Sequence, residues 1–207
     1  MSGSGEIYNK ITLKGYIVST VELSHKVYGE EFLEFEMSVM RTSGYKDMVP
    51  VTVSGRLLGS VELQPGDYVC VEGQIRTYNR YLEGKNRLLI TVFARELERI
   101  DDDEFEFDEN YVFLEGYLCR TPFYRVSPKG REITDLMVAV NRMYGKSDYI
   151  PCIAWGRNAK YARLLEVGTK IRIVGRIQSR EYRKKVSEEE YIIGTAREIS
   201  IHKIEEI

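Results

Sequence analysis

From Lys170 onward every second residue reads Lys170, Arg172, Val174, Arg176, Gln178, Arg180 and Tyr182, so one side of an extended chain carries regularly spaced cations and ends on a ring. Tyr149 and Trp155 stand six residues apart and share one face of another strand. Lys and Arg in such a row neutralise phosphates, while rings set among them stack on bases that have no pairing partner. The chemistry on offer is a grip on single-stranded nucleic acid. A duplex hides its base faces. Stacking contributes about 1–3 kcal/mol per base without reading its identity, which implies little sequence preference. A lone tyrosine on a strand is merely a good strand residue, so the pattern needs support from its distribution.

Comparing the chain with itself supplies that support. Adding 101 to a position reproduces Asn9 as Asn110, Gly15-Tyr16 as Gly116-Tyr117, Arg41 as Arg142, Asp47 as Asp148, Pro50 as Pro151 and Gly55-Arg56 as Gly156-Arg157. At an offset of 102, Gly66, Gly73, Ile75 and Ala94-Arg95-Glu96 recur as Gly168, Gly175, Ile177 and Ala196-Arg197-Glu198. The chain is two copies of one unit, predicted as domains over 1–100 and 110–207 joined by the acidic run 101–109. The basic and aromatic face belongs to the second copy: Met48 and Ser54 stand where Tyr149 and Trp155 do. Charge divides the same way, with −1 over residues 1–100, −7 over 101–109 and +6 over 110–207. The acidic run reads as a solvated linker kept extended by self-repulsion.

Most of each copy alternates apolar and polar residues, the period of half-buried strands. Leu136, Val138 and Val140, then Ile150, Cys152 and Ala154, then Ile171, Ile173 and Ile177 form the core faces of the second copy; Phe35, Met37 and Val39, then Val49, Val51 and Val53, then Val69, Val71 and Ile75 do so in the first. The helical candidate is Asn158 to Leu165, opened by Asn as N-cap and closed by Gly168. The fold class is therefore all-β: two tandem five-stranded Greek-key barrels of the oligonucleotide-binding (OB) type, each with a short helix between strands 3 and 4. Gly15 and Gly116 relieve the bend of a curved first strand.

Other chemistry finds little support. His25 and His202 occupy non-equivalent places, and no serine elbow, phosphate cradle or metal-ligand spacing occurs, which predicts a binding protein rather than an enzyme, without metal or cofactor. Asp47 and Asp148 recur and read as turn residues beside a strand start. Cys70, Cys119 and Cys152 are odd in number and embedded in apolar runs, as reduced packed thiols are. No apolar run approaches the ~20 residues of a membrane helix, and Met1 to Glu6 lacks a secretion signal, which places the chain in the cytosol, on the nucleoid. The binding face serves RNA as readily as DNA, and a barrel pair acting as a protein-binding primosome or recombination adaptor accounts for the poorer first copy.

Tyr149-Ile-Pro-Cys-Ile-Ala-Trp155-Gly-Arg157, followed by Gly175-Arg-Ile-Gln-Ser-Arg-Glu-Tyr182 and a charged hairpin loop, resembles the bacterial single-stranded-DNA-binding protein family, most closely from Asn110 to Ile201. The resemblance implies stacking of bases on Tyr144, Tyr149, Trp155 and Tyr182, with Arg142, Arg157, Lys170, Arg172, Arg176, Arg180, Arg183, Lys184 and Lys185 around the phosphates. Ser43, Met48, Ser54 and Arg80 hold the four aromatic places in the first copy. Tyr45, Arg76, Tyr78, Arg80 and Tyr81 form a secondary set there. Binding of single-stranded DNA in replication, recombination or repair follows from the resemblance, as does a homodimer presenting four barrels. The family's acidic tail with a hydrophobic tip has no counterpart in Ser200-Ile-His-Lys-Ile-Glu-Glu-Ile207, which leaves recruitment of replication and repair proteins open. Light scattering is expected to report about twice the 24.0 kDa chain mass; a stable monomer removes the four-barrel expectation.

Overall fold

The computed structural model describes residues 8–82, 84–100, 108–142, 145–185 and 191–207. The first copy folds as β1 (Asn9–Ile17), β2 (Glu22–Val27), β3 (Glu30–Met40), β4 (Lys46–Ser54), α1 (Gly55–Leu58), β5 (Tyr68–Leu82) and β6 (Lys85–Arg99); the second as β7 (Glu109–Leu118), β8 (Phe123–Val126), β9 (Glu132–Asn141), β10 (Ser147–Trp155), α2 (Arg157–Ala162), β11 (Lys170–Lys185) and β12 (Tyr191–Glu206). Five strands close each barrel. In the first, β3, β4, β6, β5 and β1 follow one another and β1 returns to β3; in the second, β9, β10, β12, β11 and β7 do the same. The one parallel pairing in each ring, β4 with β6 and β10 with β12, is the Greek-key crossing of an OB fold. Among the described residues no helix is long and apolar enough to cross a membrane.

The predicted core faces are all buried, because alternation gives each strand one apolar side and ring closure has only one interior for it. At ~1.5–3 kcal/mol per fully buried aliphatic side chain, these positions dominate stability. Closure also demands a near-contact of backbones where β1 passes β3. A Cβ on Gly15 would collide with the Ser38 carbonyl, and one on Gly116 would collide with that of Ala139.

Three features depart from the sequence reading. First, β2 and β8 are extra strands on the outer edges of β3 and β9. Every residue of β2 is exposed, so no burial pattern marks it; what makes it is the two-residue turn Tyr28-Gly29, with φ of 48° and 80°, the geometry of a tight hairpin. Second, α2 starts at Arg157 behind Gly156 (φ 53°), and the side-chain amide of Asn158 donates instead to the His202 carbonyl at 2.8 Å. Third, Ala94-Arg95-Glu96 and Ala196-Arg197-Glu198 are not equivalent. Val51 lies opposite Val92 and Cys152 opposite Ile199, so the last strands correspond at an offset of 107. The second hairpin is longer, turning between Lys185 and Tyr191 rather than between Leu82 and Lys85, and this moves β12 past the tripeptide.

The two barrels are one sheet. β1 pairs antiparallel with β7 from Asn9↔Leu114 to Lys14↔Glu109 while each strand also pairs with its own barrel. Where β1 diverges from β5, the side chain of Asn9 takes over for the backbone, donating to Ile75 O at 2.8 Å and accepting from Ile75 N at 2.9 Å; Asn110 does the same to Ile177. The linker residues 101–107 lie outside the described residues. The last two residues of the acidic run are not free: Asp108 accepts from Met40 N at 2.6 Å, and Glu109 opens β7.

Asp47 and Asp148, read as turn residues, are the clamps of this seam. Both are fully buried. Asp47 accepts from Arg41 Nε and Nη2 at 2.7 and 2.6 Å and, across the seam, from Ser179 N at 2.6 Å; Met48 N donates to Ser179 Oγ at 2.9 Å. Reciprocally, Asp148 accepts from both Nε and Nη2 of Arg142 and from Thr77 N at 2.6 Å, while Tyr149 N donates to Thr77 Oγ1 at 2.9 Å. Arg76 adds a second cation to Asp148 at 3.1 Å. Removing a buried carboxylate strands its donors. Asp47→Ala and Asp148→Ala are each expected to cost ~3–5 kcal/mol in denaturant unfolding, against ~0–1 kcal/mol for Glu72→Ala, which loses only its exposed pair with Lys10.

Candidate nucleic-acid interface

The seam creates a cleft of about 600 Å³ that takes its lining from both barrels. The second barrel supplies Trp155 from the end of β10, Arg176 and Arg180 from β11, His202 from β12 and Arg131 from the turn before β9; the first supplies Arg41 and Tyr45 from the loop joining β3 to β4. Alternation along β11 carries Arg176 and Arg180 outward, since Ile173 and Ile177 must face the core. Gln178, of the same parity, is buried and donates to Glu198 at 2.9 Å, because the Asp47 loop covers that stretch of strand.

Arg41 links the seam to the cleft. Its guanidinium is fixed on Asp47 and lies 4.5 Å from the centre of the half-exposed Tyr45 ring. The carboxylate hydrogen bond raises its pKa, so its charge is secure. Arg180 Nε lies 3.5 Å from Glu198. Arg131 and Arg176 have no carboxylate within ion-pair distance among the described residues, and Arg176 Nε is buried without a hydrogen-bond partner. Desolvation first, then the charge of Arg41, pulls the pKa of Arg176 below the ordinary arginine value. Cations that repel one another around exposed aromatic surface are a poor structural device and a suitable anion receptor.

A second opening, of about 720 Å³, lies on the first barrel and is lined by Arg76, Thr77, Tyr78, Arg80 and Arg142. Arg142 lines this cleft and is held on Asp148. Tyr149, half exposed, rests its amide on Thr77 at the same place. Since Tyr149 and Trp155 project from one face of β10, ~20 Å apart at strand rise, that face runs from the first-barrel cleft to the seam cleft.

The remaining candidates scatter. Arg157 is exposed at the start of α2. Lys170 sits over the Tyr8 ring at 5.8 Å, and Arg172 lies between Glu115 and Glu205, so both lie outside the two clefts. Tyr182 is part-buried across from Gly194, where a Cβ would stand 2.6 Å from its Cζ; the ring lies over that glycine. Tyr81 is exposed on β5. Tyr144 and the side chains of Arg183, Lys184 and Lys185 lie outside the described residues. Tyr68, outward by parity, is buried against Tyr16 with ring centres 4.9 Å apart. Strand alternation could not find Arg41, Arg131 or His202, because a loop, a turn and a bulge deliver them; the repeated Arg41-Asp47 and Arg142-Asp148 spacing was the only visible trace.

Residues 109–204, nearly all of the second barrel, match the single-strand binding protein family. The second barrel resembles that family. Single-stranded DNA-binding proteins from Clostridium tetani, 34% identical over 90 residues (40% of this chain and 62% of the relative), and Thermus thermophilus, 30% identical over 131 residues (56% and 50%), are among its relatives. The chain spans about half to three fifths of the length of such relatives. A deletion mutant of the single-stranded DNA binding protein from Thermus aquaticus superposes with a TM-score of 0.72 over 96% of this chain and 94% of its own, at 21% identity, so the two-barrel fold is common to both. The cleft's charge arrangement predicts unequal costs: Arg131→Ala is expected to change stability by less than ~0.5 kcal/mol, whereas Arg41→Ala, which abandons buried Asp47, costs ~3 kcal/mol or more in the same unfolding assay.

Proposed function

We propose that the chain binds single-stranded DNA along the outward face of β10, from the seam cleft to the first-barrel cleft. The observation that carries this reading is the seam cleft itself: Trp155 and Tyr45 presented among arginines, two of which have no carboxylate partner among the described residues. Stacking on rings and neutralisation of phosphates suit an unpaired strand, and the named relatives are single-stranded DNA-binding proteins. The reading makes the chain a binding protein of replication, recombination or repair, without catalytic chemistry of its own.

We assign 1–100 and 110–207 to the two domains and 101–109 to their connection, with the second domain supplying Tyr149, Trp155 and most cations, and the first completing the Trp155 cleft through Arg41 and Tyr45. Tyr78, Arg80 and Tyr81 continue the path as secondary contacts, and Tyr144, Tyr182 and the basic hairpin of Arg183, Lys184 and Lys185 flank it. A homodimer of such chains presents four barrels.

Trp155 is the sole tryptophan, so its emission reports the cleft alone. Titration with oligo-dT is expected to quench it, Trp155→Ala to weaken binding by ~1–3 kcal/mol, and log affinity to fall against log salt with a slope of about −0.7 per neutralised phosphate. Unchanged emission at low salt, or equal affinity for duplex, overturns the assignment.

A further inference from the structure

The antiparallel pairing of β11 with β12 slips by one residue at Val174/Gly175: Gly175 faces Ile201 and Val174 faces Lys203, leaving His202 as the extra residue of a β-bulge. Bulges re-aim the side chain they carry. Here the bulge sets His202 at the seam cleft, with Nε2 3.2 Å from Arg176 Nη1. Arginine only donates, so Nε2 is the acceptor and the imidazole of the empty cleft is neutral, with its proton on Nδ1. The first barrel has the same slip at Glu72/Gly73, where the extra residue is Arg95, which donates to Gln74 at 3.4 Å. Gln74 and Arg95 thus stand where the second barrel has Arg176 and His202. Both barrels set an arginine against an acceptor at this point, but only in the second can the acceptor take a proton.

We propose that Arg176 and His202 form a phosphate subsite of the seam cleft, in which a bound phosphodiester takes up the donors of Arg176 and His202 gains a proton from solvent to become a second donor. The inference rests on the reading of this cleft as the seat of single-stranded DNA. No bond in the ligand forms or breaks; one proton moves from water to Nε2. Three observations converge on it. Arg176 Nε is buried and unpartnered, a donor aimed at nothing in the described structure. Arg176 is bonded to a group that a proton would turn from acceptor to donor, and an anion between the two would accept from both. The Asn158 amide holds the His202 carbonyl at 2.8 Å and anchors the bulge.

The groups around His202 leave it as the titrating member. Arg176 and Arg180 of β11, Arg41 and Tyr45 of the first-barrel loop, and Arg131 before β9 line the cleft with it. The nearby carboxylates are engaged: Asp47 by Arg41, and Glu198 by Arg180 and Gln178. Partial burial, then the charge of Arg176, holds the His202 pKa below its usual 6.5 in the empty cleft. An anion between the two residues reverses both effects. The bound pKa rises, so affinity strengthens as pH falls through the interval between bound and free values and levels off below the free value, by about tenfold for each unit of rise.

With only two histidines in the chain, proton NMR of the imidazole signals reads this directly, His202→Gln assigning one of them. The full chain is titrated from pH 8 to 5 alone, with oligo-dT, and with inorganic pyrophosphate. Oligo-dT binding that raises the His202 pKa supports the subsite. Oligo-dT binding with no rise overturns it and leaves the DNA reading standing. Should oligo-dT fail to bind, the DNA reading falls, and pyrophosphate decides the rest: a raised His202 pKa keeps the anion subsite, an unmoved one removes it.

Discussion

A carboxylate buried in one barrel that accepts the backbone N–H of the other is the constraint on which this molecule is organised. Asp47 grips Ser179 and Asp148 grips Thr77, each with an arginine from its own loop to hold its charge. Neither carboxylate would tolerate burial without that arginine, and neither arginine would be positioned without the carboxylate. Their joint geometry sets how closely the barrels approach, and so decides that Arg41 and Tyr45 reach the neighbourhood of Trp155.

Much of the fold was legible because strand alternation is a direct record of burial. Phe35, Met37 and Val39, or Ile150, Cys152 and Ala154, have no alternative interior to face. The edge strand β2 was not legible, since a strand wet on every side leaves no trace of period two and is defined instead by the left-handed backbone of Tyr28 and Gly29. Nor was the true role of the aspartates. Asp between a loop and a strand is what a turn needs in most proteins, and only the partner barrel reveals that these two are sealed from water. The recurrence of Arg and Asp at a spacing of 101 was visible all along, but repetition shows that a residue is required without saying for what.

The candidate surface was half legible for a related reason. Parity along β10 and β11 picks out Tyr149, Trp155, Arg176 and Arg180 correctly as outward residues, yet outward is not together. Lys170 and Arg172 share that parity and lie outside the seam cleft, spent on Tyr8, Glu115 and Glu205. His202 was hidden more deeply: the longer second hairpin displaces β12 by five residues against the copy, so the obvious Ala-Arg-Glu match pointed at the wrong neighbour. Strand registers and bulges, which place cleft residues to within a single position, are the least visible layer of such a sequence.

The pairing of β1 with β7 joins two segments of one polypeptide. Contact between barrels is consequently an intramolecular equilibrium, governed by an effective concentration that tethering holds near the millimolar range. Dilution, which parts subunits associated through separate chains, leaves this junction untouched. A shared groove that exists only where two barrels meet therefore persists at any abundance of the protein, however scarce.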